Sequence, residues 1–382
     1  MNMNKITDIF ACRVLFFITA FSVGLWTIRI PTIRDQIHTD YIGIGYIMAT
    51  FAIGSIIMML GANLIIAKYS SKKILIFIGL AQWLLWLAVP FITDLGMFMV
   101  FAFIFGTAFG LFEICINLQA SKIESRQKKS MMSGFHAFWS LGVLIGSFFT
   151  SFFLQWNIAI LNNILIYVII MLPMNIFFAT KLREDKKILV NDKNNIFFIW
   201  PTLIFLLVII AMSNALTEGS VDAWGALYMT DYIKVNGFKV GLATISFNIF
   251  MVVGRFYGDF IRDRIGVYNL LMTLMILSII SLLVLINYNS ILSAVIGFAI
   301  LGMGASSIVP IAYSLAGNIK GVDSGVGITI ISVAVYGTFL GAPASLGILA
   351  NTYGVNNIFT PIFILFIFLL IPIRIFKFHL KL

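Results

Sequence analysis

The sequence has few charged residues. Asp, Glu, Lys and Arg make up 10% of its 382 residues, whereas hydrophobic side chains make up 61%. Soluble domains average roughly 25% charged and 45–50% apolar residues, so the composition excludes an ordinary soluble fold. Long apolar runs without strict alternation argue against a β-barrel and indicate membrane-spanning helices. We therefore expect an all-α integral membrane protein embedded in a lipid bilayer.

Cysteine and histidine are also scarce, with two and three copies. Cys12 and Cys115 lie inside apolar runs without metal-ligand neighbours, so neither a disulfide framework nor a metal site is expected. The sequence has no phosphate loop, no Ser/His/Asp set and no soluble output domain, so nothing favours an enzyme or a sensor, and we expect no cofactor. The formal charge of +10 indicates cytoplasmic loops rather than a nucleic-acid surface, because basic residues mark such loops in membrane proteins.

The apolar sequence divides into twelve spans of about twenty residues each. They cover residues 9–30, 41–67, 74–92, 96–119, 131–154, 158–180, 196–220, 240–261, 267–286, 291–317, 325–350 and 356–375. The longest mostly polar stretch, 181–195, carries eight charges in fifteen residues and lies near the midpoint. The sequence therefore predicts two six-helix bundles, 1–180 and 196–382, joined by a cytoplasmic loop at 181–195.

Lys and Arg are distributed unequally between alternate loops. Placing the N-terminus inside puts twenty basic residues on the inner side, with Arg255 counted among them. Four fall on the outer side: Arg29, Arg34, Lys234 and Lys239. This excess predicts that both termini lie in the cytoplasm and that the chain spans a bacterial inner membrane several times.

Glycines recur at a near-constant distance in the two halves. The pairs are Gly142 with Gly337, Gly146 with Gly341, Gly106 with Gly302, and Gly61 with Gly258, at offsets of 195, 195, 196 and 197. Each match alone is weak, because glycine is common in membrane helices, but together they predict an internal duplication. A substrate cavity is then expected near the midplane between the halves. We expect it to be lined from spans one, four, five, seven, eight, ten and eleven.

The segment 254–266, G-R-F-Y-G-D-F-I-R-D-R-I-G, resembles the cytoplasmic loop signature of the major facilitator superfamily. Its first-half counterpart, 61–73, keeps the glycine and the basic cluster but lacks the acidic residue. The resemblance covers essentially the whole chain through the span count, the central loop and the paired motifs. It implies a transporter that works by alternating access. In this conformational motif Gly258 allows close helix approach. The charged residues, which can pair with one another and with helix ends, are Asp259, Arg262, Asp263 and Arg264.

A narrower likeness lies in span four, where G-L-F-E-I-C-I-N at 110–117 is similar to the acidic-x-x-x-Asn element of fucose-permease-like sugar–proton symporters and their uncharacterised bacterial relatives. Segments 133–142 and 218–228 also look like that branch. In that group the acid is assigned the coupled proton, which implies the same role for Glu113. Fucose permeases carry a second acid in span one, and this chain has none there, so fucose itself is a poor candidate.

Four titratable side chains are candidates for proton coupling. Glu113 leads, because a carboxylate about ten residues from the inner end of its span is costly and by default functional. The alternative is a structural pair with His136, which is itself a partner, a substrate contact or an interfacial residue. Glu218 and Asp222 lie four residues apart on one helix face. They form an outer gate or a second protonation site, or else they mark a hydrated helix end.

Aromatic rings and amides inside the spans are the candidate substrate contacts. Flat rings can stack on a sugar-like ring, although most Trp residues in membrane proteins are interfacial anchors. Amides in apolar helices need a partner, either another helix or a polar ligand. The candidates are Trp26, Asn117, Trp139, Asn214, Trp224, Asn248, Tyr313 and Tyr336.

The favoured function is proton-coupled uptake of a small, polar, sugar-like metabolite by a monomer. The alternative is a proton-coupled efflux antiporter for lipophilic or drug-like compounds. Drug antiporters of this superfamily carry a Gly-Pro step in span five, where this chain has Gly146 and Ser147, although Pro343 follows Gly341 in span eleven. A channel is disfavoured because the two-half repeat favours alternating access.

Overall fold

The chain is a bundle of long α-helices. The computed structural model describes residues 3–129, 131–184, 202–319, 322, 324–375 and 377, and these contain no β-strand. The helices are α1 Met3–Gln36, α2 Tyr41–Tyr69, α3 Ser71–Leu85, α4 Leu95–Gln127, α5 Met132–Gln155, α6 Ile160–Lys181, α7 Thr202–Leu227, α8 Leu242–Asn287, α9 Ile291–Ala305, α10 Ile308–Ala316, α11 Ser324–Tyr353 and α12 Phe359–Ile375. Ten helical segments of these residues are long and apolar enough to cross a membrane. The predicted all-α membrane fold is confirmed.

At two places in the second half, helices and predicted spans do not correspond one to one. The α8 helix contains both the eighth and the ninth span, joined by a kink at Gly266 with φ 80° and ψ 160°. Glycine adopts such a conformation readily because it has no Cβ, so the predicted loop is reduced to one residue. The tenth span is instead divided into α9 and α10 at Ser306 and Ser307. Pro310 accounts for this break, because it has no N–H to donate to the carbonyl of Ser306 four residues earlier.

The helix ends lie on two faces of the bundle. One carries the start of α1, the α2–α3 and α4–α5 junctions and the kink of α8, and we call it the basic face. There the carboxylate of Asp8 contacts Arg126 at 2.7 Å and Arg183 at 3.1 Å. These ion pairs hold the start of α1 and the ends of α4 and α6 together. The opposite face carries the α1–α2 and α7–α8 junctions.

The closest helix contacts include one that occurs twice. A Cβ added at Gly106 on α4 would lie 2.2 Å from the carbonyl oxygen of Phe51 on α2. A Cβ added at Gly302 on α9 would lie 2.0 Å from the carbonyl oxygen of Phe247 on α8. Both partners are separated by the same 196 residues, so the contact recurs as an internal duplication requires. Gly61, by contrast, would have nothing within 4 Å of an added Cβ.

Helices before residue 185 and after residue 201 also pack against each other. The α2 helix contacts α11, α5 contacts α8, and α1 contacts α7. Most of the predicted central loop, 185–195, lies outside the described residues. The space enclosed by these inter-half contacts is where the candidate site lies.

Candidate substrate cavity

A cavity of about 160 Å³ lies between the two halves. An apolar cavity of about 150 Å³ is large enough for a molecule such as benzene, so this one has room for a single ring or a group of similar size. Its aromatic lining consists of Trp26, Phe51, Trp86, Phe101, Phe105, Phe109, Trp139 and Tyr336. The other lining residues are Ser22, Val23, Ile47, Met48, Ala102, Gly219 and Asp222.

The aromatic residues form a continuous wall. The ring centroid of Phe105 lies 5.5 Å from that of Trp86 and 6.2 Å from that of Phe51. Phe109 continues the wall, 5.4 Å from Phe51 and 6.1 Å from Trp139. These separations fall in the range of about 4.5–7 Å that aromatic pairs prefer, so each ring is fixed by its neighbours.

Asp222 on α7 supplies the charged side chain of the lining. Among the described residues, no hydrogen bond or ion pair reaches its carboxylate. The other carboxylate on this helix face, Glu218, is paired with Arg255 at 3.0 Å. Asp222 is therefore the carboxylate that remains available to a ligand in the cavity.

Glu113 on α4 lies outside the lining and is 5% exposed. Its Oε1 accepts a hydrogen bond from Asn117 Nδ2 at 2.8 Å, which fixes the carboxyl one turn from the amide. Its Oε2 is buried without a hydrogen-bond partner among the described residues. A negative charge at this position would be costly, because buried charges need pairing and full hydrogen bonding.

Arg255 on α8 is 1% exposed and connects this helix to α5, α7 and the α9–α10 junction. Its Nη2 donates to both oxygens of Glu218 at 3.0 and 3.1 Å. Its Nη1 donates to the Ser140 hydroxyl at 2.6 Å and to the His136 carbonyl at 3.2 Å, both on α5. Its Nε donates to the Ser306 carbonyl at 2.8 Å, the carbonyl that Pro310 leaves unpaired. Arg255 therefore ties the two halves together beside the cavity.

Further contacts between the halves lie towards each face. On the opposite face, the carboxylate of Asp231 contacts Arg34 at 3.3 Å and also accepts a hydrogen bond from the Tyr41 hydroxyl. Near the basic face, Oε1 of Glu124 on α4 accepts a hydrogen bond from Ser314 on α10 at 3.1 Å. If one half moves against the other, either the contacts on the opposite face or those near the basic face have to break.

The motif 254–266 contributes to the basic-face contacts. Asp259 lies beside Ser133 and Gly134 at the start of α5. Arg262 Nη1 donates to the Ser314 hydroxyl at 3.1 Å. Gly258 brings α8 close to Ser307, whose Oγ would lie 2.1 Å from an added Cβ. Arg264 lies over the ring of Phe260 at 4.1 Å.

The family model described as Major Facilitator Superfamily matches residues 14–212, which is more than half of the chain. The chain belongs to the Major Facilitator Superfamily. The predicted family is thereby confirmed, and the protein is a multi-pass transporter of that family.

Relatives and solved structures agree with this assignment. An uncharacterised MFS-type transporter of Yersinia pestis is 26% identical over 344 residues, covering 89% of this chain and 88% of the relative. The membrane protein MosC of Rhizobium meliloti is 24% identical over 364 residues, covering 93% and 87%. The fold is similar to that of the Major Facilitator Superfamily transporter FucP, whose crystal structure is in the outward conformation, with a TM-score of 0.69, 16% identity and coverage of 96% of this chain and 98% of FucP. The nucleoside transporter NupG matches with a TM-score of 0.66, 13% identity and the same coverage.

Four of the predicted site residues line the cavity of this transporter: Trp26, Trp139, Asp222 and Tyr336. The lining comes from spans one, two, three, four, five, seven and eleven. The expected contributions from spans eight and ten are absent from the lining of the described structure. Arg255 on α8 points instead to Glu218 and to Ser306, so this part of the interface is filled by protein hydrogen bonds.

The three predicted amides bind protein groups. Asn117 and Asn214 donate to the carboxylates of Glu113 and Glu218 at 2.8 and 2.6 Å. Asn248 donates to a backbone carbonyl one turn earlier in α8 at 3.0 Å. All three bonds lie within the helix that carries the amide, so among the described residues neither of the two expected partners, another helix or a polar ligand, is seen.

Three predicted aromatic or imidazole groups lie outside the main cavity. The Tyr313 hydroxyl is 3.0 Å from that of Ser332, and its ring stacks on His136 with centroids 5.6 Å apart. No hydrogen bond joins His136 to Glu113 among the described residues. Trp224 lines a separate pocket of about 10 Å³, which is too small for a substrate.

Arg255 is the functional candidate that the sequence reasoning missed. Counting it as a loop charge was wrong, because it is buried in the helix interior. Its position inside the predicted span 240–261 indicates from the sequence alone that it is buried in the membrane. An arginine at that depth needs a partner, and Glu218 is that partner.

Proposed function

We propose that this transporter is a proton-coupled symporter that carries one compact small molecule with a proton. In this proposal the basic face and both termini lie in the cytoplasm of a bacterial cell, and the membrane is the inner membrane. The observation that carries the proposal is the presence of two carboxyl groups in different surroundings. Asp222 lines the cavity, and Glu113 is buried outside it.

Two separate sites favour symport over antiport. In an antiporter, proton and substrate can compete for one group, whereas a symporter carries both ligands at once. A proton on Glu113 leaves Asp222 free for a substrate. The proposed proton site and the proposed substrate site can therefore be filled together.

The surroundings of Glu113 suit a group that alternates between two protonation states. In the described conformation, a charge on Glu113 would have one buried oxygen without a donor, at a cost of several kcal/mol. The protonated carboxyl carries no such charge. Rearrangement of the halves would bring water to Glu113 and allow the proton to leave.

Tyr336 is the proposed link between the two sites. It lines the cavity and lies close enough to Glu113 for an electrostatic interaction. A substrate that contacts Tyr336 would change the polarity around Glu113. Binding of the substrate and retention of the proton would then depend on each other.

The lining and the volume of the cavity can be compared with the two predicted substrate types, a sugar-like metabolite and a lipophilic compound. A sugar-like substrate stays a prediction, which the ring faces of Trp26, Trp139 and Tyr336 support. Efflux of lipophilic compounds is favoured by the many other aromatic rings in the wall. The volume of about 160 Å³, however, is smaller than most drug-like molecules require.

The test compares uphill transport with exchange in proteoliposomes. Glu113→Gln mimics the protonated acid, so it should abolish accumulation driven by a pH gradient while counterflow of the same substrate continues. Glu184→Gln is the matched control, because this exposed glutamate pairs with Lys73 at the surface and should leave both activities unchanged. If Glu113→Gln still concentrates substrate, coupling through Glu113 is wrong and Asp222 becomes the candidate.

A further inference from the structure

We propose that the cavity binds a compact quaternary ammonium ion, with aromatic rings around its methyl groups and Asp222 as its counter-charge. This inference rests on the proposed transport function and names the substrate class of the same cavity. It follows from the wall, the charge, the number of polar groups and the volume of the cavity.

The wall has the chemistry of a cation site. The face of an aromatic ring carries partial negative charge and attracts a desolvated cation, most strongly when several rings surround it. Eight aromatic residues line this cavity. The rings of Phe51, Phe105 and Phe109 lie 5.4–6.2 Å apart by centroid, so they present one continuous surface.

Asp222 supplies an acidic group that the described protein does not pair by contact. The guanidinium of Arg255 gives both of its Nη2 hydrogen bonds to Glu218, at 3.0 and 3.1 Å. No described residue forms an ion pair with Asp222. A cation in the cavity would stabilise the ionised form of this carboxyl group and act as its counter-ion.

Apart from Asp222, the lining residues carry few polar side-chain groups: the hydroxyls of Ser22 and Tyr336 and the indole N–H groups of three tryptophans. The Ser22 hydroxyl already donates to the Thr19 carbonyl at 2.8 Å. A pyranose would bury several hydroxyl groups with few partners, and a primary ammonium would bury three N–H donors against aromatic walls. Unpaired buried donors are costly. A quaternary ammonium has no N–H, so the walls satisfy it without hydrogen bonds.

The volume limits the size of the ion. A space of about 160 Å³ is close to the roughly 150 Å³ that accommodates benzene. A trimethylammonium group with a short substituent fits this limit. Larger aromatic or multi-ring cations would require the walls to move.

Binding to the purified full-length transporter in lipid nanodiscs tests the proposal without a proton gradient. The probes are choline, its uncharged carbon isostere 3,3-dimethylbutan-1-ol, ethanolamine and D-glucose, each titrated calorimetrically. Choline should bind at least about tenfold more tightly than each of the other three, which a few desolvated cation–π contacts can supply. The comparison uses the unmodified chain, so it does not depend on the folding of any variant.

Two variants locate the binding site. Asp222→Asn removes the counter-charge but keeps the aromatic rings, so it should reduce the preference for choline over its isostere by at least about threefold, while affinity for the isostere stays unchanged. Asp35→Asn is the control, because its side chain is 73% exposed at the end of α1, and it should keep the full preference. An unchanged preference in Asp222→Asn overturns the role of Asp222.

The remaining outcomes are equally decisive. Absence of choline binding, equal binding of the isostere, or tighter binding of ethanolamine or glucose overturns the quaternary ammonium proposal. Tight glucose binding would do so while leaving proton-coupled transport intact. Conversely, choline binding without accumulation under a pH gradient would overturn the transport proposal and leave the cation site intact.

Discussion

Replacing Arg255 by methionine is the perturbation for which the structure gives the clearest consequence. Methionine keeps much of the side-chain volume but removes the guanidinium, which bonds Glu218, Ser140 and two backbone carbonyls. The Glu218 carboxylate is left with its hydrogen bond from Asn214 at 2.6 Å. Its negative charge then has no cation partner.

The size of the effect follows from burial. Removing one partner of a buried ion pair costs about 3–5 kcal/mol. The Arg255 side chain is 1% exposed and that of Glu218 is 21% exposed, so water compensates part of the loss. We expect Arg255→Met to lower the free energy of unfolding by about 3 kcal/mol.

A double-mutant cycle separates the charge pair from the packing. Glu218→Gln removes the carboxylate charge that Arg255→Met leaves unpaired. The double variant should therefore be about 2 kcal/mol more stable than the sum of the single changes predicts. Unfolding in mixed micelles with increasing SDS, followed by tryptophan fluorescence, measures each variant. Additive single effects, or an Arg255→Met variant as stable as the parent, would refute the role assigned to Arg255.

Three further predictions concern packing, gating and orientation. Gly106→Val should destabilise the fold by about 1–3 kcal/mol, because its Cβ would lie 2.2 Å from a carbonyl oxygen of α2. The control is Gly61→Val, whose Cβ meets nothing within 4 Å. In the same SDS unfolding measurement it should change the free energy of unfolding by less than about 0.5 kcal/mol. Asp231→Asn removes the partly exposed ion pair with Arg34, so it should lower the free energy of unfolding by less than about 1 kcal/mol. It should nevertheless speed the labelling, from the opposite face, of a cysteine introduced into the cavity. An unchanged labelling rate would contradict the gating role. Lys187→Cys should resist an impermeant thiol reagent added outside intact cells, and labelling there would reverse the proposed orientation.

The membrane fold could be predicted from the sequence because the bilayer fixes helix length. Apolar runs of about twenty residues are specified locally, and the helices follow them closely. Gly266 and Pro310 alter two boundaries for reasons that depend on tertiary structure. Glycine permits a kink without requiring one, and the carbonyl that Pro310 leaves free at Ser306 is stabilised by Arg255.

The candidate site was less predictable than the fold. A sequence places a side chain on a helix, but the rotation of each helix towards its neighbours is set by packing between distant residues. For this reason the aromatic candidates Trp26, Trp139 and Tyr336 reach the cavity, whereas Tyr313 and Trp224 do not line it. Arg255 was assigned to a loop because charges were counted without reference to depth within the span.

The sign of substrate-driven proton movement tests the central claim most directly. Proteoliposomes that contain the transporter would enclose a pH-sensitive dye, with potassium and valinomycin holding the membrane voltage at zero. Choline, which is permanently charged and does not cross lipid as a free base, is added outside. The account predicts that the lumen becomes more acidic with the unmodified chain, in either orientation of the protein, and that Glu113→Gln abolishes the change. A lumen that becomes more alkaline would mean exchange of substrate for protons, and an acidification that persists in Glu113→Gln would remove Glu113 from the coupling; either result would contradict the account.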